Sequence, residues 1–270
     1  MRGGFHRLDE TAMNPQLAFI TGASSGIGQA LAARYARAGY RLALVARRAG
    51  EVEAWVRGQG LAAERARVYA ADVRDVASIT GAGRACLVEQ GLPDVVIANA
   101  GISVGVDTAE FSDLEQIRAT FETNNIGLAA TFQPFVRGMR ERRSGTLVGI
   151  ASVGGIRGLP GHGAYSASKA AVISYCESLR GECRPFGVKV VTLVPGYVAT
   201  PLTQGNRYRM PFLMQPDAFA DKAFNAISAG VRYRVIPWQM AVVAKLLRVL
   251  PDSLFDRLFA GRSRKRRFGE

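Results

Sequence analysis

Thr21-Gly22-Ala23-Ser24-Ser25-Gly26-Ile27-Gly28 joins an apolar run over 16–21 to a helical pattern over 26–39. Glycine spacing alone is a weak signal; a strand before it and a helix after it give it meaning. Gly22 permits a sharp turn, and Gly26 and Gly28 lack the Cβ that would keep backbone away from a ligand. Free N–H groups and the positive end of the helix dipole then favour an anion such as a pyrophosphate, with Ser24, Ser25 and Ile27 beside it. The stretch predicts a βα unit that binds a dinucleotide. A glycine-rich turn without a ligand is the plainer alternative for the motif taken alone.

Outward from this turn, short apolar runs alternate with longer helical patterns, which predicts βαβ units. Strands are expected over 16–21, 41–46, 66–70, 94–98, 146–151, 188–194 and 233–236. Helices are expected over 26–39, 50–59, 75–90, 113–142, 164–186 and 216–230. Most strand runs are continuously apolar, as in a parallel sheet covered on both faces. The predicted fold is α/β: a Rossmann-like doubly wound parallel sheet of about seven strands, plus a helical C-terminal extension. Residues 13–236 are expected to form one catalytic domain, 237–260 an amphipathic extension and 261–270 a basic tail. The polar leader 1–12 is expected to be disordered, with Met13 as an alternative start.

The chain has 270 residues, 48% of them hydrophobic, enough for one substantial core. Thirty-five basic against 22 acidic side chains leave a net charge of +13, which favours anionic partners without choosing among them. Cys86, Cys176 and Cys183 show no CxxC or zinc spacing, and the chain has only two histidines, so no metal is expected. No signal peptide or membrane-length apolar run is present, and a reduced cytoplasmic setting is the expectation.

In a dinucleotide fold the end of the second strand faces the adenosine ribose, where an acid suits NAD and arginine suits a 2′-phosphate. Here Arg47 and Arg48 stand at that end, which favours NADP(H) over NAD(H). Tyr165 and Lys169 lie four residues apart on one face of a predicted helix. A nearby ammonium is expected to stabilise phenolate and lower the tyrosine's pKa toward a working range. Taken alone, such a pair reads as a solvated helix face.

The TGxxxGxG turn and the Tyr165/Lys169 pair resemble the short-chain dehydrogenase/reductase family, over nearly the whole chain from residue 16 to 236. That resemblance implies an oxidoreductase moving hydride between a nicotinamide and a carbonyl or alcohol. It assigns Ser152, thirteen residues before Tyr165, to the substrate oxygen, and Asn124 to a water that relays protons to Lys169. Asn125 is the alternative by one position, since a regular helix turns only one of the pair inward. Asp72, followed by Val73, matches the adenine contact, and Asn99-Ala100-Gly101 matches a motif supporting the sheet beside the cofactor. Pro195, Gly196, Val198 and Thr200 match the segment at the nicotinamide end. A test independent of the family is that Thr21, Arg47, Asp72, Asn99, Ser152 and Pro195 all fall at the carboxyl ends of predicted strands, where such sheets bind ligands.

On the substrate side, Tyr197 and Phe212 join Ser152 and Tyr165 as expected contacts. The segment 201–216 falls where the family places a lid, and its apolar cluster beside Arg207 and Arg209 suggests either a lipophilic substrate with an acidic group or side chains that simply pack onto the core. The C-terminal helices alternate leucines with basic residues. Packing on protein, over the chain's own cleft or a homodimer partner, is favoured over peripheral contact with an anionic membrane. The tail is then a solubilising arm. No nucleic acid is expected, because the tail lacks interleaved aromatics. The competing readings are a carrier-protein-linked 3-oxoacyl reductase and a non-catalytic nucleotide-sensing or nucleic-acid-binding protein.

Overall fold

The computed structural model describes residues 15–206, 208–261 and 265–267. The leader 1–12 and Arg207 lie outside the described residues. The apolar runs become strands β1 (Leu17–Thr21), β2 (Arg41–Ala46), β3 (Ala66–Ala70), β4 (Val95–Ala98), β5 (Thr146–Ile150), β6 (Lys189–Pro195) and β7 (Tyr233–Ile236). They pair in parallel in the order β3-β2-β1-β4-β5-β6-β7. The order reverses between β1 and β4, which is where such sheets open a crevice for a ligand.

Successive side chains of each strand enter opposite layers of core. Phe19, Val45, Val96 and Leu147 pack into the layer that holds Phe132, Phe135 and Val172. Ile20, Leu44, Ile97 and Val148 pack into the layer that holds Leu31, Tyr35 and Phe219. The first layer is roofed by α3 (Val76–Glu89), α5 (Gly127–Arg142) and α6 (Gly163–Cys183). The second is roofed by α1 (Gly26–Arg37), α2 (Ala49–Gly58) and α8 (Pro216–Ser228). Burial on both faces is why the strands read as unbroken apolar runs.

The helix expected over 113–142 is divided. It comprises α4 (Asp113–Phe121), a π turn over Glu122–Ile126, and α5. The wider turn lies at the two asparagines, and both donate from Nδ2 to α6. Asn124 bonds Ser168 Oγ and Asn125 bonds Ser168 O, each at 2.9 Å. The expectation that only one asparagine turns inward therefore fails, because it assumed regular α geometry. The helix expected to reach 186 stops at Cys183 and tightens into a 3-10 turn, Arg184–Phe186. Pro185 lacks an N–H to continue the ladder, and Gly187 leaves at φ +71. A short helix not expected from sequence, α7 (Pro201–Gln204), begins with proline at its first position.

Beyond β7, α9 (Trp238–Val249) and α10 (Asp252–Phe259) form as the amphipathic pattern predicts. Their inner faces cover a cavity beside α6, while Trp238, Val242, Leu246 and Val249 remain exposed. The described part of the basic tail is docked: Gly105 N donates to Arg266 O at 2.9 Å. That corrects the expectation of a free solubilising arm for this part of the tail, because the 103–113 segment offers acceptors to Lys265 and Arg267. No described helix is long and apolar enough to cross a membrane.

Candidate active site

The glycine turn is shaped by close approach. Gly22 and Gly26 adopt φ +70 and +56, values that L side chains resist. A Cβ on Gly28 would lie 2.1 Å from Gly22 O, and one on Gly26 would lie 3.0 Å from the Thr200 methyl. Ser25 precedes α1 in extended backbone with no side-chain cap bond, so first-turn N–H groups face the turn. Asn99 ties the turn down, with Nδ2 donating to Thr21 O at 3.0 Å and its own N–H donating to Thr21 Oγ1 at 3.1 Å. A cradle that only glycine can line, open at a helix N-terminus, fits a pyrophosphate. It opens on a cavity of about 380 Å³ walled by Gly26, Ile27, Asn99, Lys169, Val198 and Thr200.

A smaller hollow at the ends of β2 and β3 is walled by Arg47, Asp72, Val73, Arg74, Ala100 and Gly101. Arg48 donates from Nη2 to Ser24 Oγ at 3.3 Å and pairs with Glu51 at 3.2 Å. Arg47 is exposed and makes no side-chain hydrogen bond or ion pair among the described residues. Arg74, which sequence reasoning missed, holds the Asp72 carboxylate through Nε at 3.0 Å and Nη2 at 2.7 Å. Those bonds keep the Asp72 carboxyl below its usual range. Its one advance signal was a further arginine two residues after the acid.

At the carboxyl end of β5, Ser152 Oγ accepts from Gly154 N at 3.1 Å. Tyr165 and Lys169 share the α6 face above it. Lys169 is 5% exposed, and its Nζ donates to Ile150 O at 2.8 Å. Burial pulls the ammonium down to about 8. The Nζ lies 5.9 Å from the Tyr165 ring centroid. Desolvation raises the Tyr165 phenol above its ordinary value, and a hydrogen bond to Ser152 opposes that rise. The expected lowering by Lys169 does not appear: desolvation of the buried phenol is the largest effect, and the net direction is upward. Asn124 is clamped to Ile102, Oδ1 accepting from its N–H at 2.9 Å and Nδ2 donating to its carbonyl at 3.0 Å. A Cβ on Gly101 would meet Asn124 Oδ1 at 3.1 Å and Lys169 Nζ at 3.3 Å, so the glycine leaves the two groups facing one gap.

A second cavity, of about 310 Å³, lies across Ser152 and Tyr165. Tyr197 lines it, as expected. Phe212 does not: at φ +56 and 49% exposed it turns outward, and Pro211 takes the wall. Tyr208, His162 and Lys265 line it without having been singled out from sequence. Tyr208 Oη lies 3.4 Å from His162 Nε2, and burial lowers the His162 pKa. Arg157 fastens α9 and α10 over this space. Its guanidinium donates to the carbonyls of Leu247 and, at 2.6 Å, Leu250, pairs with Asp252 at 2.7 Å, and stacks 3.9 Å from the Phe255 centroid. No group of potential metal ligands occurs among the described residues.

A dinucleotide cradle and a hydroxyl-rich wall meeting at one sheet edge define a dinucleotide-dependent enzyme. Residues 16–210 match the sequence model of the short chain dehydrogenase family, and the chain belongs to that family. It is an oxidoreductase of the CH–OH/C=O type that uses NAD(P). It is similar to an uncharacterized oxidoreductase of Myxococcus xanthus, 38% identical over 244 residues, spanning 90% of this chain and 96% of that one. A 3-ketodihydrosphingosine reductase of Bacteroides thetaiotaomicron is 33% identical over 215 residues, 80% of this chain and 76% of that one. Among solved structures, a short chain dehydrogenase/reductase from Burkholderia phymatum in complex with NAD superposes with a TM-score of 0.77 at 25% identity, covering 86% of this chain and 92% of that one.

Proposed function

We propose that this chain reduces the carbonyl group of a lipophilic substrate with NADP(H), Tyr165 being the proton donor. The observation that carries the reading is that Ser152 and Tyr165 line both cavities, the one at the glycine cradle and the one under α9 and α10. A group on that shared wall touches whatever reacts across it. A nicotinamide dinucleotide held by Gly22, Gly26 and Gly28 supplies the hydride. The Tyr165 phenol, raised by desolvation, stays protonated at neutral pH and gives its proton to the carbonyl oxygen. The Ser152 hydroxyl donates a hydrogen bond to that same oxygen as negative charge develops. Lys169 and Asn124, facing one gap beside Gly101, return a proton to Tyr165.

The preference for the 2′-phosphate rests on Arg47, Arg48 and Arg74 around the β2–β3 hollow. Arg47 in particular makes no side-chain hydrogen bond or ion pair among the described residues, although its charge reaches Asp72. The similar solved enzyme holds NAD, so this preference is argued from the arginines of this chain. Apolar walls from Met240, Val243, Leu247 and Phe259 favour a lipophilic substrate, and the similarity to a 3-ketodihydrosphingosine reductase agrees with that.

The test is NADPH consumption across long-chain ketones and aldehydes, with NADPH binding followed by its fluorescence. Tyr165→Phe is expected to remove turnover by a factor of about 100 or more while NADPH binding persists. Turnover surviving in that variant would overturn the assignment. Arg47→Ala with Arg48→Ala is expected to raise KM for NADPH about tenfold and leave KM for NADH nearly unchanged. An equal change for both would remove the NADP(H) preference.

A further inference from the structure

The cavity under α9 and α10 receives a charge from the far end of the chain. Gly105 and Arg267 bridge in parallel. A Cβ on Gly105 would lie 2.1 Å from Lys265 O, so glycine is required for the tail to approach this closely. Arg267 anchors the segment on Asp113, whose side chain is 4% exposed, donating from Nε at 2.8 Å and from Nη2 at 3.1 Å. With the backbone held there, Lys265 Nζ reaches Ser103 Oγ and Leu202 O, both at 3.0 Å. Ser103 and Leu202 line the same cavity as Ser152 and Tyr165.

Both partners of Lys265 are neutral acceptors, and no carboxylate among the described residues pairs with it. An ammonium has three donors, and only two are engaged. A half-buried cation without an anion is unfavourable unless something compensates it. Met240, Val243, Leu247 and Phe259 give the wall its apolar part. The other charged or titratable groups on it besides Tyr165 and Tyr197 are Arg157, already paired with Asp252, the exposed Arg209, and His162 with Tyr208, the histidine's pKa being lowered by burial and by Lys265 itself.

We infer that Lys265 is a specificity-determining residue that selects lipophilic substrates bearing a carboxylate in addition to the carbonyl. This deepens the proposed function and rests on its reading of the cavity as the substrate side. Burial pulls the Lys265 ammonium down to about 8, so at pH 7 it still carries its charge, and a bound carboxylate compensates a cation that its surroundings disfavour. Selection for the acid weakens as pH rises through that value.

The test is calorimetric titration of the NADPH-loaded full chain with dodecanoate and with dodecanol, which share a tail and differ in charge. At pH 7, dodecanoate is expected to bind about tenfold or more tightly, the scale of one hydrogen bond between charged groups. The margin should narrow by pH 9.5 and disappear in Lys265→Met. Lys265→Arg should keep a preference for the acid, showing that charge rather than folding was lost. Lys245→Met, which removes an exposed charge from α9, should leave the margin intact. Equal affinity for the two probes, no dodecanoate binding, or a margin that survives Lys265→Met would each overturn the inference. These readouts need no turnover. Failure of the reductase reading would instead appear as absent NADPH binding or absent carbonyl reduction.

Discussion

At Lys169, stability and chemistry pull in opposite directions. Its folded pKa, about 8, lies below the unfolded value. The native state therefore sheds its proton first as pH rises. Below pH 8 both states are protonated and burial of the charge costs stability in full; the cost fades between about 8 and 10.4 and is gone above that. Lys169→Met is thus expected to raise the stability of the cofactor-free protein by about 1–2 kcal/mol at pH 7, after loss of the Ile150 hydrogen bond. The gain should vanish near pH 10.5, while kcat falls about 100-fold or more. Thermal melts at both pH values, with assays beside them, check this. Tyr165 sets the companion pH profile. Carbonyl reduction should fall on the alkaline side as the phenol ionises, and alcohol oxidation should rise there. That these two residues share one helix face was legible from their spacing along the sequence, but the sign of the tyrosine shift was not. It depends on how deeply the phenol is buried, which only the packing of the folded chain around α6 sets.

At the scale of elements, the turn between β1 and α1 is legible because glycine leaves its mark wherever backbone crowds backbone. Gly28→Ala places a methyl against Gly22 O and is expected to cost about 1–3 kcal/mol and to weaken NADPH binding more than tenfold. A denaturant melt and a fluorescence titration would check both. The break in the helix expected over 113–142 was not legible. Both asparagines had to find partners on α6, which lies more than forty residues downstream, before a π turn became preferable to regular α geometry. The C-terminal helices give the reverse case. Their amphipathic pattern predicted their existence, but Arg157, ninety residues earlier, decides where they lie. Arg157→Ala is expected to cost about 1.5–3 kcal/mol and to raise KM for long-chain carbonyls more than for short ones. Equal KM changes across chain length would show that the extension does not shape the cavity.

Across the whole molecule, the +13 charge is less diffuse than composition suggests, since part of it is spent on internal contacts. The tail is one such place. Arg267 holds the Asp113 carboxyl below its usual range, so this pair adds stability above pH 4 and loses it as pH falls through the lowered folded value. A chain ending at Gly261 is therefore expected to melt below the full chain at pH 7, with the gap closing toward pH 3. A gap independent of pH would mean the tail acts through packing alone.

The sequence by itself determined the parallel sheet, the glycine cradle and the positions of Ser152, Tyr165 and Lys169. Each depends on contacts within one βα unit or on the edge that all carboxyl strand ends share. The tertiary structure decided what faces the cavity from elsewhere: Tyr208 and His162 meeting across it, Phe212 turned away, and Lys265 brought in by a tail that had read as a solvated arm. Those residues are distant in sequence and carry no periodic signal. Only the folded chain, seeking partners for Asp113, Gly105 and the end of α9, brings them to the place where Tyr165 stands.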